Sequence, residues 1–328
     1  MRRFSVLLSL LAALLLGLPG ALAQADPFAD AGLPELAITL TDGGPQGVPA
    51  ETAAGRYLVS FTNDVSDTGD PFTDAWSVEF VRLPAGTTVD DLAALFAAGA
   101  AGEGGGEGTP VTEAGEAVAE ASPAGEDPFA FIYEGHLAGG PGALRGETAH
   151  GVVDLPPGDY AVATFGIGMP VAMTVTGEAA ASPEAGAIEA SATITETGTS
   201  GSFDFAAEGL APGPGVLAIA NDSDQPHFVF AIRSEQPITE DAVLALLMED
   251  EGGEGGDAPS PVASPAGGGP EGISPAFITG TQSPDTTQYL AVDLEPGYYI
   301  LLCFVGDPSQ GGIPHAFEGM IAVVPVGV

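Results

Sequence analysis

Two successive parts of the chain repeat one pattern of segments. TTVDDLAALF at 87–96 aligns with ITEDAVLALLM at 238–248, and GVVDLPPGDYAVATF at 151–165 aligns with LAVDLEPGYYILLCF at 290–304. The aligned segments follow one another in the same order in both parts. The repeat therefore predicts two copies of one folding unit.

The repeated segments have the pattern of strands. Each copy opens with an alternating segment, LAITLT at 36–41 or SATITET at 191–197. A second segment in each copy ends in Asn-Asp, RYLVSFTND at 56–64 or VLAIAND at 216–222. The period of two, the β-branched and aromatic residues and turn sequences such as PPGD and EPGY indicate strands. Many short strands with little helix predict an all-β protein with a β-sandwich in each half.

Each copy contains one predicted short helix and one low-complexity stretch. One short helix is predicted to start at Thr88 or Thr239, because acidic residues in its first turn favour the helix dipole. After each helix comes a stretch rich in Gly, Ala, Pro and Glu, at 99–126 and at 249–272. Such stretches cannot build a core, so we expect disordered surface loops.

The N-terminus predicts export. A short positive region precedes the apolar run Ser5–Leu18, and an A-x-A cleavage site follows. Residues 1–23 therefore have the pattern of a secretory signal peptide, with an uncleaved anchor as the alternative. The apolar run is too short to span a bilayer, so we expect a periplasmic or extracellular protein without a membrane span. The expected mature domains are 30–176 and 188–328, joined by a linker at 177–187.

The charge of the chain limits its partners. It carries 45 acidic residues, six arginines and no lysine, and its formal net charge is −39. Such a surface repels nucleic-acid phosphates and anionic lipid, so we expect no nucleic-acid partner. We interpret the acidic residues as a solvated coat that favours cationic partners, and not as a site.

The chain has a single cysteine, Cys303. This is unusual, because exported proteins normally use cysteines in pairs. An intermolecular bridge, a buried thiol and a metal ligand are all open explanations. His315 and Met320 follow it in H-x4-M spacing, and His227 lies upstream in NDSDQPHFVF. A thiolate, two imidazoles and a thioether suit a trigonal copper site with a weak axial sulfur. Each residue alone is more often a packing or surface residue.

Three motifs resemble those of the cupredoxins, the plastocyanin- and azurin-like blue type 1 copper proteins. GYYILLC at 297–303 has the G-x-Y-x-[FL]-x-C form that precedes the copper cysteine, and HAFEGM at 315–320 has the H-x4-M spacing. NDSDQPHF at 221–228 resembles the Asn-turn-Pro-His segment that supplies the first histidine.

The resemblance covers 188–328, and its topology extends to 30–176. It implies a tandem of two eight-stranded Greek-key sandwiches with one type 1-like copper ion at the end of the second. The implied copper ligands are His227, Cys303, His315 and Met320.

One departure and one internal comparison qualify the resemblance. Eleven residues, FVGDPSQGGIP, separate Cys303 from His315, whereas the family usually has a few. In the first copy, Trp76 stands at the position of His227 and Thr164 at that of Cys303. The first domain is therefore expected to be degenerate and without copper ligands.

The implied function is a secreted copper-binding protein that acts in electron transfer or copper carriage. We expect a monomer with an unknown redox or copper-exchange partner. Multicopper oxidases and copper nitrite reductases use tandem domains of this kind but need further histidine clusters. Four histidines without an H-x-H or H-C-H motif argue against an enzyme, and His136 and His150 are assigned no role. The alternative is a metal-free cupredoxin-like binding or adhesion module at the cell surface, and thiolate-to-copper absorption would discriminate between the two.

Overall fold

The computed structural model describes residues 27–94, 130–178, 188–251 and 272–328. The predicted signal peptide and most of the predicted linker and low-complexity loops lie outside the described residues. The described part consists mainly of short strands with few helices, which confirms the predicted all-β class.

Among its described residues, the first half contains strands β1 to β11, a 3-10 helix (Ala29–Ala31) and two α-helices. The strands are β1 (Glu35–Thr41), β2 (Gly44–Gln46), β3 (Glu51–Ala53), β4 (Gly55–Asn63), β5 (Ala75–Ser77), β6 (Glu79–Arg82), β7 (His136–Leu137), β8 (Gly142–Leu144), β9 (Thr148–Leu155), β10 (Gly158–Ala163) and β11 (Val171–Thr176). Helix α1 is described over 89–94 and helix α2 is Ala130–Glu134. Thr88 caps α1, because its Oγ1 accepts from Asp91 N at 3.2 Å and its own N donates to Asp91 Oδ2 at 2.8 Å.

The second half contains strands β12 to β21 and one α-helix. The strands are β12 (Ala192–Thr199), β13 (Ser202–Glu208), β14 (Gly213–Asn221), β15 (Phe230–Ser234), β16 (Ile273–Ile278), β17 (Thr286–Leu294), β18 (Gly297–Leu302), β19 (Gly306–Asp307), β20 (Ile313–Pro314) and β21 (Ile321–Val326). Helix α3 (Glu240–Glu251) follows Thr239, whose Oγ1 accepts from Ala242 N at 3.3 Å. No helix among the described residues has both the length and the apolar character to cross a membrane.

Each half packs two sheets around an apolar core. In the first half, β1, β2, β4 and β9 face the sheet β3-β11-β10-β6-β7. In the second half, β12, β13, β14 and β17 face the sheet β16-β15-β18-β21. The alternation read from the sequence sets which side chains enter the core, since Leu36, Ile38 and Leu40 of β1 are buried and their neighbours are more exposed. A separate core of the second half contains Cys303 and Met320.

One sheet runs through both halves, which the sequence pattern did not predict. The order β13-β12-β14-β17-β9-β4-β1-β2 is continuous because β9 pairs with β17, with Gly151 opposite Leu290 and Val152 opposite Tyr289. A Cβ atom on Gly151 would lie 2.9 Å from the Tyr289 carbonyl oxygen, so only glycine permits this approach. The pairing leaves neither β9 nor β17 as an open sheet edge.

A second ribbon of contacts joins the halves between β7 and β8 on one side and β16 and β17 on the other. Gly139 N donates to Thr281 O at 3.0 Å, and Gly280 N donates to Gly140 O at 2.7 Å. The carboxylate of Glu79, which is 3 % exposed, accepts from Thr281 N at 2.7 Å. The segment 279–282 therefore contacts the first half on one side, while on its other side Gln282 contacts His227.

Candidate metal centre

The four predicted ligands come from three places in the second half. Cys303 directly follows β18, and His315 opens a 3-10 helix (His315–Glu318). Met320 directly precedes β21, the hydrogen-bonded neighbour of β18. His227 lies in a short bridge with Gln282 just before β15, which pairs with the other edge of β18. The sheet thus places segments that are far apart in sequence beside the end of β18.

The structure brings two imidazoles and the thiol together. Cys303 Sγ lies 3.6 Å from His227 Nδ1 and 3.7 Å from His315 Nδ1, and the two Nδ1 atoms are 2.8 Å apart. One ligand atom from each of the three residues lies within 4.8 Å of the other two. All three side chains are 0 % exposed, so their donor atoms face one another in a site without open solvent.

The separations of these donor atoms test whether a metal ion fits. Suppose that two nitrogens and one sulfur surround a metal ion evenly in one plane, with zinc-like bonds of about 2.0 Å to nitrogen and 2.3 Å to sulfur. The sulfur then lies about 3.7 Å from each nitrogen, and the two nitrogens lie about 3.5 Å apart. Both observed sulfur–nitrogen separations match this. The observed nitrogen–nitrogen separation is shorter by about 0.7 Å. The three residues therefore fit a small metal ion once the imidazoles move slightly apart.

Met320 supplies the fourth predicted group. Its side chain is 0 % exposed and belongs to the same buried apolar cluster as Cys303. Its backbone N donates to His315 O at 2.9 Å, which closes the turn through Gly319. Gly319 has a φ of 102°, a left-handed conformation that favours glycine, so the Gly before Met has a backbone role here. The thioether is thus fixed in the same part of the core as the thiol.

Burial sets the protonation of the site. Desolvation, followed by the repulsion from His315, lowers the pKa of His227 to about 2. Desolvation lowers the pKa of His315 to about 4, although Asp307 opposes the shift. Desolvation also raises the pKa of the Cys303 thiol well above its usual range. Both imidazoles are therefore neutral and the thiol is protonated near neutral pH, so a metal ion must displace the thiol proton.

Gln225 fixes the tautomer of His315. Its Oε1 lies 3.0 Å from His315 Nε2, and its side chain also hydrogen-bonds to Asp307. The amide group of Gln225 donates to the carboxylate, so Oε1 accepts from His315 Nε2–H. His315 Nδ1 is then left with a lone pair toward the thiol and His227. In the metal-free site, His227 Nδ1–H donates to that lone pair across 2.8 Å.

The segment between Cys303 and His315 is a closed hairpin. Strands β19 and β20 pair, with a 3-10 helix (Pro308–Gln310) between them. The Asp307 carboxylate accepts from Ser200 Oγ at 2.5 Å and from Ser309 N at 2.8 Å. Burial alone would raise the pKa of Asp307, but its hydrogen bonds from Ser200, Gln225 and Ser309 hold it below its usual range. The long loop is therefore tied to the body of the second half.

Sequence reasoning missed three residues around the site. Phe203 packs against both imidazoles, with ring centroids 4.9 Å from His227 and 4.2 Å from His315. Gln225 stands two residues before His227, so its nearness in sequence was a usable signal. Asp307 appeared only as one residue of the segment FVGDPSQGGIP, and nothing local marks Phe203, which reaches the site from β13.

The first half repeats the framework without the ligands. Asn63 Nδ2 donates to the carbonyls of Asp74 and Ala143, both at 2.9 Å. Asn221 Nδ2 likewise donates to the carbonyls of Gln225 and Gln282, at 2.8 and 3.0 Å.

Two side chains of the first half stand at ligand positions. Trp76 lies opposite Ala143, as His227 lies opposite Gln282. Thr164 directly follows β10 as Cys303 follows β18, and its Oγ1 donates to Ser77 O at 2.8 Å. Trp76 packs against the core of the first half.

The other two histidines lie apart from the candidate ligands. His136 begins β7, and desolvation lowers its pKa. Its backbone pairs with Arg82 of β6. His150 Nδ1 lies 3.1 Å from Ser60 Oγ on the neighbouring strand. Neither belongs to a group of possible metal ligands among the described residues.

Comparison with known proteins gives structural similarities only. No family model matches the chain, and no curated protein does. A dithionite-reduced auracyanin from Roseiflexus castenholzii is 20 % identical over 43 % of this chain and 100 % of its own, with a TM-score of 0.26. Auracyanin B is 13 % identical over 42 % of this chain and 87 % of its own, with a TM-score of 0.24. A copper nitrite reductase from Nitrosomonas europaea is 11 % identical over 89 % of this chain and 93 % of its own, with a TM-score of 0.22.

Proposed function

We propose that the second half of this protein is a cupredoxin-like copper centre, with His227, Cys303, His315 and Met320 as ligands. The observation that carries this proposal is the convergence of two neutral imidazoles and one thiol, all fully buried, with Nδ1, Nδ1 and Sγ facing one another. Transfer of three polar side chains from water into an apolar core costs free energy, so their burial needs a compensating interaction. A metal ion that bonds to all three accounts for that burial.

The donor set favours copper over other metals. Thiolate and thioether ligands select soft metals, and imidazole suits copper in either oxidation state. A structural zinc site normally has four strong ligands, and the fourth group here is a thioether. A bound copper ion supplies a one-electron redox couple.

The surrounding residues prepare the site for that ion. Gln225 holds the proton of His315 on Nε2, so that Nδ1 is free to bind. Binding at His227 Nδ1 moves that residue's proton to Nε2, which has no hydrogen-bond partner among the described residues. Phe203 and the closed hairpin exclude water from the ligands. Since the ligands already lie together in the metal-free protein, metal binding requires only that the two imidazoles move slightly apart.

The role that follows is electron transfer or copper carriage outside the cytoplasm, by a monomer that lacks an enzymatic activity of its own. Four histidines leave few candidates for a second copper site after His227 and His315 are used. The acidic surface favours a redox or copper-exchange partner with a basic contact surface. The first half, with Trp76 and Thr164 in place of ligands, serves as scaffold.

Copper titration of the mature chain tests this function. Added Cu(II) should produce an intense visible absorption from thiolate-to-copper charge transfer at a ratio of one copper per chain. Electron paramagnetic resonance should then show a single copper species. Uptake without that absorption would assign copper to the acidic surface and contradict the proposed centre. That result would favour the alternative, a metal-free cupredoxin-like binding or adhesion module.

A further inference from the structure

Two polar side chains lie in the apolar core of the second half without a role in the proposed ligand set. Glu196 of β12 and Gln282 are both 0 % exposed. Gln282 Nε2 donates to Glu196 Oε2 at 2.8 Å, and its distance to Ile219 O is 3.3 Å. The remaining oxygens, Glu196 Oε1 and Gln282 Oε1, have no hydrogen-bond partner in the described part of the chain. A buried carboxylate that accepts a single hydrogen bond is strongly disfavoured, and so is a buried amide oxygen that accepts none.

The corresponding positions of the first half are apolar. Glu196 lies opposite Asn221 in the β12–β14 pair, and Leu40 lies opposite Asn63 in the equivalent β1–β4 pair. Leu40 is likewise 0 % exposed.

The same comparison holds for the amide. Gln282 lies opposite His227, whereas Ala143 lies opposite Trp76. The half with the candidate ligands thus has a Glu/Gln pair where the other half has Leu/Ala, so the fold itself does not require the polar pair.

We propose that Glu196 is a neutral carboxylic acid that forms a cyclic acid–amide pair with Gln282, and that this pair positions His227 in the metal centre. In such a pair, the amide N–H donates to one carboxyl oxygen and the carboxyl O–H donates to the amide oxygen. The first of these bonds is the one at 2.8 Å. A proton on Oε1 gives both partnerless oxygens a partner at once. In agreement with this, burial raises the pKa of Glu196 to about 8.

The connection to His227 runs through the backbone of Gln282. Gln282 N donates to His227 O at 2.7 Å, and His227 N donates to Gln282 O at 3.1 Å. Gln282 O also accepts from Asn221 Nδ2 at 3.0 Å. Because both main-chain groups of His227 bond to Gln282, a side-chain pair that fixes Gln282 also fixes the imidazole. Glu196 and Gln282 are therefore positioning residues that bond to no metal themselves.

Infrared spectroscopy of the full-length, metal-free protein tests the protonation. At mildly acidic pH, the difference between wild type and Glu196→Gln should contain the carbonyl stretch of a buried carboxylic acid. Glu79→Gln is the matched control, because Glu79 is also a buried glutamate but receives bonds from Thr281 N and Ser77 Oγ. Its difference band should fall at another frequency. Loss of carboxylate bands alone in Glu196→Gln would overturn the acid–amide pair.

Copper release tests the positioning role, and this arm rests on the proposed function. Glu196→Leu, which installs the first-half residue, should speed copper release and weaken affinity about tenfold or more, and it should shift the charge-transfer band. Glu196→Gln keeps an amide pair with Gln282 and should restore most of that loss. Asp293→Asn, an exposed substitution on β17, should leave the band in place.

Two outcomes would overturn the positioning role. A band and a release rate in Glu196→Leu equal to those of wild type would do so directly. Absence of copper binding by the wild type would remove the proposed function and the positioning role together. The infrared result would then still decide the acid–amide pair.

Discussion

At the scale of single residues, the chemistry of the candidate centre depends on burial. The thiol of Cys303 and the two imidazoles are typical metal ligands, but the same types occur as ordinary core or surface residues. At 0 % exposure the imidazole nitrogens meet the other donor atoms and Gln225, and the Cys303 sulfur also hydrogen-bonds to the backbone at Phe228 and Val305. The thiolate forms the strongest bond that such a set can offer a copper ion.

Cys303→Ser should abolish the charge-transfer absorption and most of the copper affinity, because serine offers no thiolate. Thr164→Ser is the matched control, since Thr164 occupies the corresponding place in the first half and should leave copper binding unaffected. Visible absorption and competition with a copper chelator measure both variants. Equal losses in the two variants would show that Cys303 acts through packing and not as a ligand.

Two buried carboxyl groups should control how the metal-free protein responds to alkali. Burial raises the pKa of Glu79 and of Glu196 to about 8, well above the usual range of a glutamate. The native state therefore keeps two protons that the unfolded chain has lost, and the stability they contribute is lost as pH rises toward 8.

The expected fall in unfolding free energy is about 1 kcal/mol per pH unit for each carboxyl. Between pH 7 and 8 the two buried histidines offset little of it, because their pKa is about 6.5 in the unfolded chain and lower still in the native state. Urea unfolding across this range measures the slope, and Glu79→Gln or Glu196→Gln should each remove about half of it. A flat profile in the wild type would contradict the prediction.

At the scale of elements, the hairpin β19–β20 decides whether His315 reaches the site. Its Asp307 bonds to Ser309 within the hairpin. It also bonds to Ser200 and Gln225, which are distant in sequence. The same network leads through Gln225 to His315. The length of the loop therefore matters less than the bonds that close it.

Asp307→Asn should loosen the hairpin, because an amide cannot accept all the bonds that the carboxylate accepts. We expect copper to be released about tenfold faster, with the charge-transfer band retained since no ligand changes. Asp293→Asn, an exposed substitution on β17 with the same change of charge, is the control. Identical release rates in the two variants would show that the hairpin does not hold His315.

At the scale of the whole molecule, the shared sheet couples the two halves. The β9–β17 pairing and the bonds from Glu79, Gly139 and Gly140 to the segment 279–282 give the second half a backbone support that a separate sandwich would lack. That segment also bonds to His227. The first half thus supports the candidate centre without supplying a ligand.

Thermal unfolding of the metal-free chain should show a single calorimetric transition, because neither half can unfold without exposing a broken sheet edge in the other. Gly151→Val should lower the melting temperature for both halves together, since its side chain would collide with the Tyr289 carbonyl. Tryptophan fluorescence reports the first half through Trp76, and the reactivity of Cys303, the single thiol of the chain, reports the second. Two separate transitions in the wild type would contradict the coupling.

Period-two alternation and turn residues act locally, so the all-β class, the positions of the repeated strands and the equivalence of residues such as Trp76 with His227 could be predicted from the linear pattern. The four candidate ligands could be selected in the same way, because their order and spacing are visible in the sequence. The position of His315 beside Cys303, despite eleven intervening residues, depends on the folded chain, since bonds from Ser200 and Gln225 close that loop. The continuous sheet and the Glu196–Gln282 pair were also beyond the sequence, because both depend on which strands meet across long separations.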